Sequence, residues 1–401
     1  MLRMRAAVTV AALGAAAALV AGPAFAASGW TIVSAPPTGQ NGNLQGVSAA
    51  SETNAWAVGS ENGAANTGIG AKVLIDNWNG TAWSQVTAPA TPGNTATLVA
   101  VSASSATDAW AVGHTQVNKE DFAPLAMHWN GTAWSVSSSA ATALAGQIAD
   151  GVADISPTDA YAIGGGLGSA DTGLLAQWNG TTWSQVTVPL PANDAGPSVL
   201  SAIAASGPDD VWITGGYVAR EGSTDRDETY ALHFNGSAWS VVPMPLVGGS
   251  DASLVYQFNS IVVNSPTDAW AVGGSGNGLP LIGSTGVAVP TSTLIEHWNG
   301  TAWSIVTSPS PGTDDNLTGV TTSNAADDVW AVGYDTPAGA TQAQTLTLNW
   351  NGTAWTTVAS PDVGSPSVLN SVSTNPGAAI VWAVGDSGAS GSFNPLVLQN
   401  G

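Results

Sequence analysis

Cysteine is absent from the 401 residues, and Lys and Arg together number only 6. Without cysteine there is no disulfide framework, no thiolate metal site and no cysteine nucleophile. Charged residues make up 8% of the chain, too few for a coiled coil or a solvated charged tail. The cations are also badly placed for anionic partners. Arg3 and Arg5 sit at the extreme N-terminus, leaving Lys72, Lys119, Arg220 and Arg226 to face 27 acids. A nucleic-acid partner needs a basic stripe to neutralise phosphates, and four cations on this background cannot make one. Anionic lipid is disfavoured for the same reason. Beyond residue 22 no apolar run approaches the roughly 20 residues a membrane-spanning helix needs, so no membrane insertion is expected.

What the chain does contain is apolar. Hydrophobic residues reach 44% and tryptophans number 18, which excludes a disordered polymer. The first 26 residues read as a secretory signal. Arg3 and Arg5 form a positive start, residues 6–22 are almost all Ala, Val, Leu and Gly, and Ala24-Phe25-Ala26 supplies a small-x-small cleavage pattern. The expectation is a secreted chain cleaved near Ala26, with residues 27–401 forming one domain. An exported chain without cysteine must be stabilised by packing alone.

An internal repeat accounts for every tryptophan. One segment, Asp-Ala-Trp-Ala-Val-Gly and its variants, places its aromatic at Trp56, Trp110, Tyr161, Trp212, Trp270, Trp330 and Trp382. A second, Trp-Asn-Gly-Thr-Ala-Trp, leads with Trp78, Trp129, Trp178, Phe234, Trp298 and Trp350. It trails with Trp83, Trp134, Trp183, Trp239, Trp303 and Trp355. In the sixth repeat four extended segments are expected, at 317–323, 329–333, 345–350 and 353–358, with Asn351-Gly352 as a two-residue type I′ hairpin turn. Period-two alternation in Ala-Trp-Ala-Val puts Trp and Val on one face and two Ala on the other. Stacked blades would then set a bulky face against a small one.

Four strands repeated at about 50 to 60 residues are the signature of a β-propeller. The chain ends give the blade count. Ser28-Gly29-Trp30-Thr31-Ile32-Val33 matches the fourth strand that begins at Trp83, with no first three strands before it. Leu396-Val397-Leu398-Gln399-Asn400-Gly401 is a third strand with no fourth after it. Joined, they make a seventh blade, so the expected fold is an all-β, seven-bladed propeller of four-stranded antiparallel blades closed by the N-terminal strand. Closure removes free sheet edges.

The order Trp270-Ala-Val-Gly-Gly274, Leu294-Ile-Glu-His-Trp298 and Thr301-Ala-Trp303, running on to Pro309, resembles the kelch and galactose-oxidase type of propeller, here as a secreted bacterial repeat protein. The resemblance covers residues 28–401 and implies the fold. It departs where the Gly pair survives only at Gly164-Gly165, Gly215-Gly216 and Gly273-Gly274, and where the turn before the trailing Trp shrinks to Asn-Gly. Kelch-type propellers serve many functions, so no activity follows. A galactose-oxidase copper site uses a Cys–Tyr cross-link, impossible here. A sialidase-like site uses three arginines, and the chain beyond the signal has two.

Other candidate chemistry is thin. His128, His233 and His297 hold one repeat position on different blades, so they do not form a metal triad, and His114 stands alone. Asp108, Asp159, Asp210, Asp268 and Asp328 precede the second strand, where a side-chain oxygen is expected to cap turn amides. Asp225-Arg226-Asp227-Glu228 lacks the Gly and distal Glu of a calcium loop. The Asn-Gly-Ser/Thr sequons at Asn79, Asn130, Asn179, Asn235, Asn299 and Asn351 read as hairpin turns first. No cofactor or metal is expected.

Chain direction puts the short, repeated turns on one face and the variable connections at 114–124, 217–230 and 275–292 on the other. Variable loops on a rigid scaffold are where binding residues concentrate. Those that break both the repeat and the acidic monotony are Lys119, Phe122, Tyr217, Arg220, Arg226 and Tyr230. The reading is a monomeric, non-catalytic binding module for an extracellular protein or glycan. The alternative is a glycoside hydrolase or lyase, which requires two or three carboxylates, among candidates such as Asp150, Asp154 and Glu296, converging on the central channel.

Overall fold

Each repeat folds into one antiparallel sheet with its strands in chain order, as alternating apolar residues between turn signals require. The structure, a computed structural model, describes residues 29–64, 69–116, 122–166, 173–221, 224–246, 254–277, 292–323, 327–363, 366–374, 380–388 and 392–401. The expected signal peptide therefore lies outside the described residues. Blades 1 to 6 span residues 43–85, 95–136, 147–186, 194–243, 254–305 and 315–357. Blade 7 joins Ser367–Thr374, Val381–Ser387 and Asn394–Asn400 to Thr31–Ile32 from the start of the chain. Thr31 pairs with Gln399 and Ile32 with Leu398, which closes the ring. The first strands of successive blades touch around the whole circle, so they are the innermost. The fold is a seven-bladed β-propeller.

The hairpin between third and fourth strands differs from the expected type I′ turn. Trp78 pairs directly with Trp83, leaving a four-residue connection, Asn79-Gly80-Thr81-Ala82. Only the glycine has a positive φ, from +85° to +92° across the six copies. The asparagine stays on the ordinary side and uses its carboxamide instead. Asn79 Oδ1 accepts from the Thr81 and Ala82 amides, both at 3.0 Å, and from Thr81 Oγ1 at 2.8 Å. This side-chain turn replaces the backbone strain that a type I′ turn would have imposed on Asn. The fourth strand of blade 6 accordingly begins at Trp355 and not at 353.

The glycine that ends the second-strand motif has a separate cause. The first strand bulges opposite it, between Leu44 and Gly46 in blade 1, and its Asn43 carbonyl lies 2.0 Å from where a Cβ on Gly59 would stand. Gly113, Gly273, Gly333 and Gly385 meet the same obstruction at 1.8 to 2.0 Å. No larger residue fits there.

Blade-to-blade packing follows the alternation. Trp56 and Val58 of blade 1 share a cluster with Ala109 and Ala111 of blade 2, while Ala55 and Ala57 share one with Trp382 and Val384 of blade 7. Each second-strand aromatic also wedges against the hairpin pair of the next blade. Trp56 lies 4.8 Å from Trp129 and 5.0 Å from Trp134, ring centre to ring centre, and the motif recurs for Trp110, Tyr161, Trp212, Trp270 and Trp382. At the composite blade Trp330 meets Trp30 edge-on at 5.4 Å. The departure from Trp is matched. Tyr161, smaller than Trp, faces Val211 and Ile213 where other blades present at least one alanine.

Each innermost strand leaves one edge unpaired within its sheet. At five of the seven seams a hydroxyl from the neighbouring blade meets it, the seams from blade 3 to 4 and 4 to 5 carrying alanine there. Ser48 Oγ accepts from Ala103 N, Ser102 Oγ from Asp154 N and Ser260 Oγ from Val320 N. Ser371 and Ser373 of blade 7 accept from Val47 and Ala49 of blade 1, carrying the stitching across the closure. An edge so satisfied cannot recruit a foreign strand. One short helix, Ser138–Ala143, lies between blades 2 and 3 and buries Ala140 and Ala143. No helical periodicity announced it, for six residues are too few to show one.

Trp30 is 5% exposed and belongs to the core of blade 7. Trp30→Ala should cost about 3–5 kcal/mol, the range for a buried aromatic, and deletion of residues 28–34 at least as much. Thermal melting should show one cooperative transition shifted down in both variants. An unchanged midpoint would mean that the N-terminal strand does not hold the ring closed.

Candidate functional site

The two faces of the disc divide the chemistry. On the short-turn face the repeated serines, asparagines and aspartates are engaged within the chain, while Glu52, Asp209 and Asp327 face solvent. Turn amides are capped by serines, Ser51 to Thr53 N at 3.3 Å and Ser105 to Thr107 N at 3.2 Å, with Ser156 and Ser265 alike. The aspartate column does something other than the capping expected of it. Asp108 Oδ1 meets His128 Nε2 at 2.7 Å, Asp210 meets His233 at 2.9 Å and Asp268 meets His297 at 2.8 Å. Asp159 and Asp328 take Gln177 and Asn349 in the same way. Each imidazole stacks on its own blade's tryptophan, at 4.4, 4.1 and 4.2 Å. The serine sits nearer the turn amides, so the carboxylate is free to bridge second and third strands. Sequence reasoning had both columns and missed the pairing because 18 to 29 residues separate the partners.

The three histidines stay in separate blades, as expected, and among the described residues no group of three His, Asp or Glu could hold a metal ion. His114 lies on a second strand, its ring 5.6 Å from Phe122, and burial pulls its pKa down.

Of the acids considered for a hydrolase, Asp154 comes close to another carboxylate. Ser104 holds both, its amide donating to Asp154 Oδ2 at 3.0 Å and its hydroxyl to Asp108 Oδ2 at 2.7 Å. Burial, reinforced by the Asp108 charge, pushes Asp154 up to about 7. Asp108 is also buried, but hydrogen bonds from His128 and Ser104 outweigh that and hold it below its ordinary value. Glycosidase carboxylates flank a bond from about 5 to 9.5 Å apart. These two are gathered on one serine, which suits a shared structural proton better than bond cleavage. Glu296 is fully buried between blades, away from the channel wall.

On the opposite face the expected loops are partly strands. The connection at 217–230 continues the second and third strands of blade 4, Asp210–Glu221 and Thr224–Phe234, in unbroken register from Val211–Phe234 to Glu221–Thr224. Alternating Tyr, Val and Ala on one arm with Thr and Tyr on the other gives the extension its own packing. Tyr217 and Tyr230 are therefore buried, at 6% and 2% exposure, with their rings edge-to-face at 5.5 Å. The Tyr217 hydroxyl donates to Glu228 at 2.5 Å and lies 3.1 Å from the Asn193 side chain. Arg226 reaches the other Glu228 oxygen at 2.5 Å. Arg220, near the tip and exposed, makes a two-pronged pair with Asp225 at 2.7 and 2.9 Å. The two tyrosines thus support the extension, and Arg220 stays exposed beside Asp225. Phe122 is half-buried at the start of a third strand, while Lys119 and most of 275–292 lie outside the described residues.

No family model and no curated protein sequence matches the chain. Similar folds occur among solved structures. YCF48 bound to D1 peptide is 14% identical over 94% of this chain and 98% of its own, with a TM-score of 0.52. A polysaccharide lyase of family PL25, an ulvan lyase bound to -[GlcA(1-4)Rha3S]-, is 12% identical over 92% and 94%, with a TM-score of 0.54. The fucose-specific lectin from Aleuria aurantia is 13% identical over 80% and 97%, at 0.46. At these identities the likeness is one of fold. None of the three is of the kelch or galactose-oxidase type.

Buried acids give the scaffold a pH response. At five interfaces the second-strand residue Val58, Val112, Ile163, Val272 or Val332 shares a cluster with Met127, Ala176, Leu232, Leu348 or Leu398 of the next blade. The same positions hold Thr214 and Glu296 between blades 4 and 5, and Asp76 between blades 7 and 1. The Thr214 hydroxyl and both carboxyl groups are buried without hydrogen-bond partners. Burial pushes Glu296 up to about 8 and, with the Glu61 charge, Asp76 up to about 7; burial also raises Asp150 to about 6. A carboxyl neutral in the folded chain and ionised in the unfolded one makes stability fall as pH rises between its two pKa values. Glu296 contributes fully below 4.5 and loses that contribution as pH passes about 8. Asp108 acts in the opposite sense, below 3.8 only. The melting midpoint should be higher at about pH 5 than at about pH 8.5. Glu296→Leu, the residue three other blades use at this position, should shrink that difference. An equal difference in the variant would remove Glu296 as its source.

Proposed function

We propose that the protein is exported and acts as a non-catalytic binding module, engaging a protein or carbohydrate ligand through its variable-loop face. The kelch-like order of the repeat belongs to this proposal as the scaffold that presents the loops. The observation behind it is the asymmetry of the disc. On the short-turn face each hairpin asparagine and turn serine already has its partners inside the chain, and the units repeat from blade to blade. The other face carries what does not repeat, above all the rigid extension of blade 4 with an exposed arginine on an acidic protein. Rigid aromatic-supported platforms with an arginine at the edge are common anchors of interfaces. A cation there also marks where an acidic group docks without repulsion.

The test compares the parent with a variant in which residues 217–228 are replaced by a short turn, on a glycan array and against extracellular proteins. A ligand of the parent should be lost by the shortened variant and weakened about tenfold or more by Arg220→Ala. Tyr230→Ala should act through a lower melting midpoint. The reading is overturned if these variants bind like the parent while changes at Asn79, Asn130 or Asn351 abolish binding in a folded protein.

A further inference from the structure

On the loop face, each blade must fill the wedge between the start of its third strand and the connection to the next blade, and the blades fill it differently. In blade 5 the Thr293 hydroxyl meets Ser308 Oγ at 2.8 Å, the Pro309 carbonyl at 2.9 Å and Ser310 Oγ at 3.1 Å. Blade 6 repeats this with Thr345, Ser360 and the Pro361 carbonyl. In blade 2 the helix Ser138–Ala143 follows the fourth strand, and in blade 4 Met244 is buried in the connection. Counting from the paired glycine and the trailing tryptophan, the blade 1 residues at the positions of Thr293, Ser308 and Ser310 are Val73, Ala88 and Ala90. All three hydroxyls are missing. Val73 has the volume of a threonine and the two alanines each lack one oxygen, so what blade 1 lacks is the hydrogen-bonded stitching of the connection to the third strand.

A half-open pocket of ≈470 Å³ stands in that place, lined by Val73, Ala88 and Ala90 among others. Its apolar floor continues with Ala71, Val86 and Pro89, and its rim carries Glu61, Lys72, Gln85, Thr87, Thr91 and Asn94. The walls are fixed. The Ala96 amide donates to the Ala71 carbonyl at 2.9 Å, Asn94 N to Gln116 O at 3.1 Å, Val86 N to Ile75 O at 2.8 Å, and the Gly39 amide to Glu61 Oε2 at 2.8 Å. The volume is in the range of small-ligand sites and preformed.

We propose that this cavity binds a neutral saccharide, two or three sugar units long. The inference rests on the loop-face reading and names its ligand, but it does not depend on the blade 4 extension. An aliphatic floor suits the C–H face of a sugar ring, and the two rim carboxamides and two hydroxyls supply donors and acceptors for its hydroxyl groups. The rim's single acid and single base cancel, so neither a cationic nor an anionic ligand is favoured locally. The surplus of acids over the whole chain disfavours an anionic sugar further.

The experiment titrates the full chain with neutral di- and trisaccharides, and with uronic-acid analogues, by ligand-observed NMR. The decisive variant is Val73→Thr/Ala88→Ser/Ala90→Ser, which restores the hydroxyl stitching of blade 5 and so should keep the fold. Thermal melting checks that it does, and Gln85→Ala/Asn94→Ala provides a second variant that leaves the floor untouched. Saturable binding of a neutral saccharide is expected, weakened at least tenfold in both variants. Failure of every neutral saccharide to bind, or preference for the uronic acids, overturns the proposal. Binding that both variants retain overturns the cavity as the site, while the loop-face reading stands if shortening residues 217–228 abolishes it.

Discussion

Everything in this ring depends on one contact, a second-strand aromatic driven against the aromatic pair at the hairpin of the following blade six times, and against Trp30 of the N-terminal strand at the seventh. Aromatic pairs bury large areas and prefer edge-to-face or tilted geometry, so each wedge fixes both distance and angle between neighbouring sheets. At most interfaces at least one alanine on the receiving face lets the wedge approach closely. With no disulfide available and few charges, this packing carries the domain.

The wedge also explains how polar groups are distributed. Bringing sheets together at the aromatic layer pushes their inner strands edge to edge, where free amides would be costly without partners. Serine and threonine hydroxyls from the adjoining blade meet that need at five of the seven seams. Towards the turns, aspartate bridges to histidine, glutamine or asparagine hold second and third strands in register.

Much of the architecture was legible because tryptophan spacing marks both the blade and its partner, and because the Trp30 segment so plainly matched an absent fourth strand. The hairpin turn was misread: Asn-Gly tolerates a two-residue turn, and only the three hydrogen bonds to Asn79 Oδ1 show that a side chain has taken the backbone's place. The aspartate–histidine pairs escaped for a related reason, since pairing across strands depends on register and not on local pattern. Tyr217 and Tyr230 stood out by breaking the repeat, but composition could not reveal that the segment was a strand with an inside. The blade 1 cavity has no signal of its own in the sequence. It emerges only when Val73, Ala88 and Ala90 are set against the hydroxyls that blades 5 and 6 carry.

Near-identical repeats face a hazard that ordinary domains do not: any blade could dock on a blade that is not its neighbour. The matched departures from the consensus act as addresses against that error. Tyr161 leaves room that the branched pair Val211 and Ile213 fills, whereas two alanines there would leave a void and a tryptophan opposite the branched pair would clash. Thr214 and Glu296 put polar groups, with no hydrogen bond between them, at positions that are aliphatic on both sides in five other seams. Both addresses belong to blade 4, one on each side. Its order in the circle is thereby encoded in volume and polarity. A shuffled ring made by exchanging blade 4 with blade 2 would change four seams and mismatch at least three of them: Trp56 against Val211 and Ile213, Tyr161 against two alanines, and Val112 against Glu296.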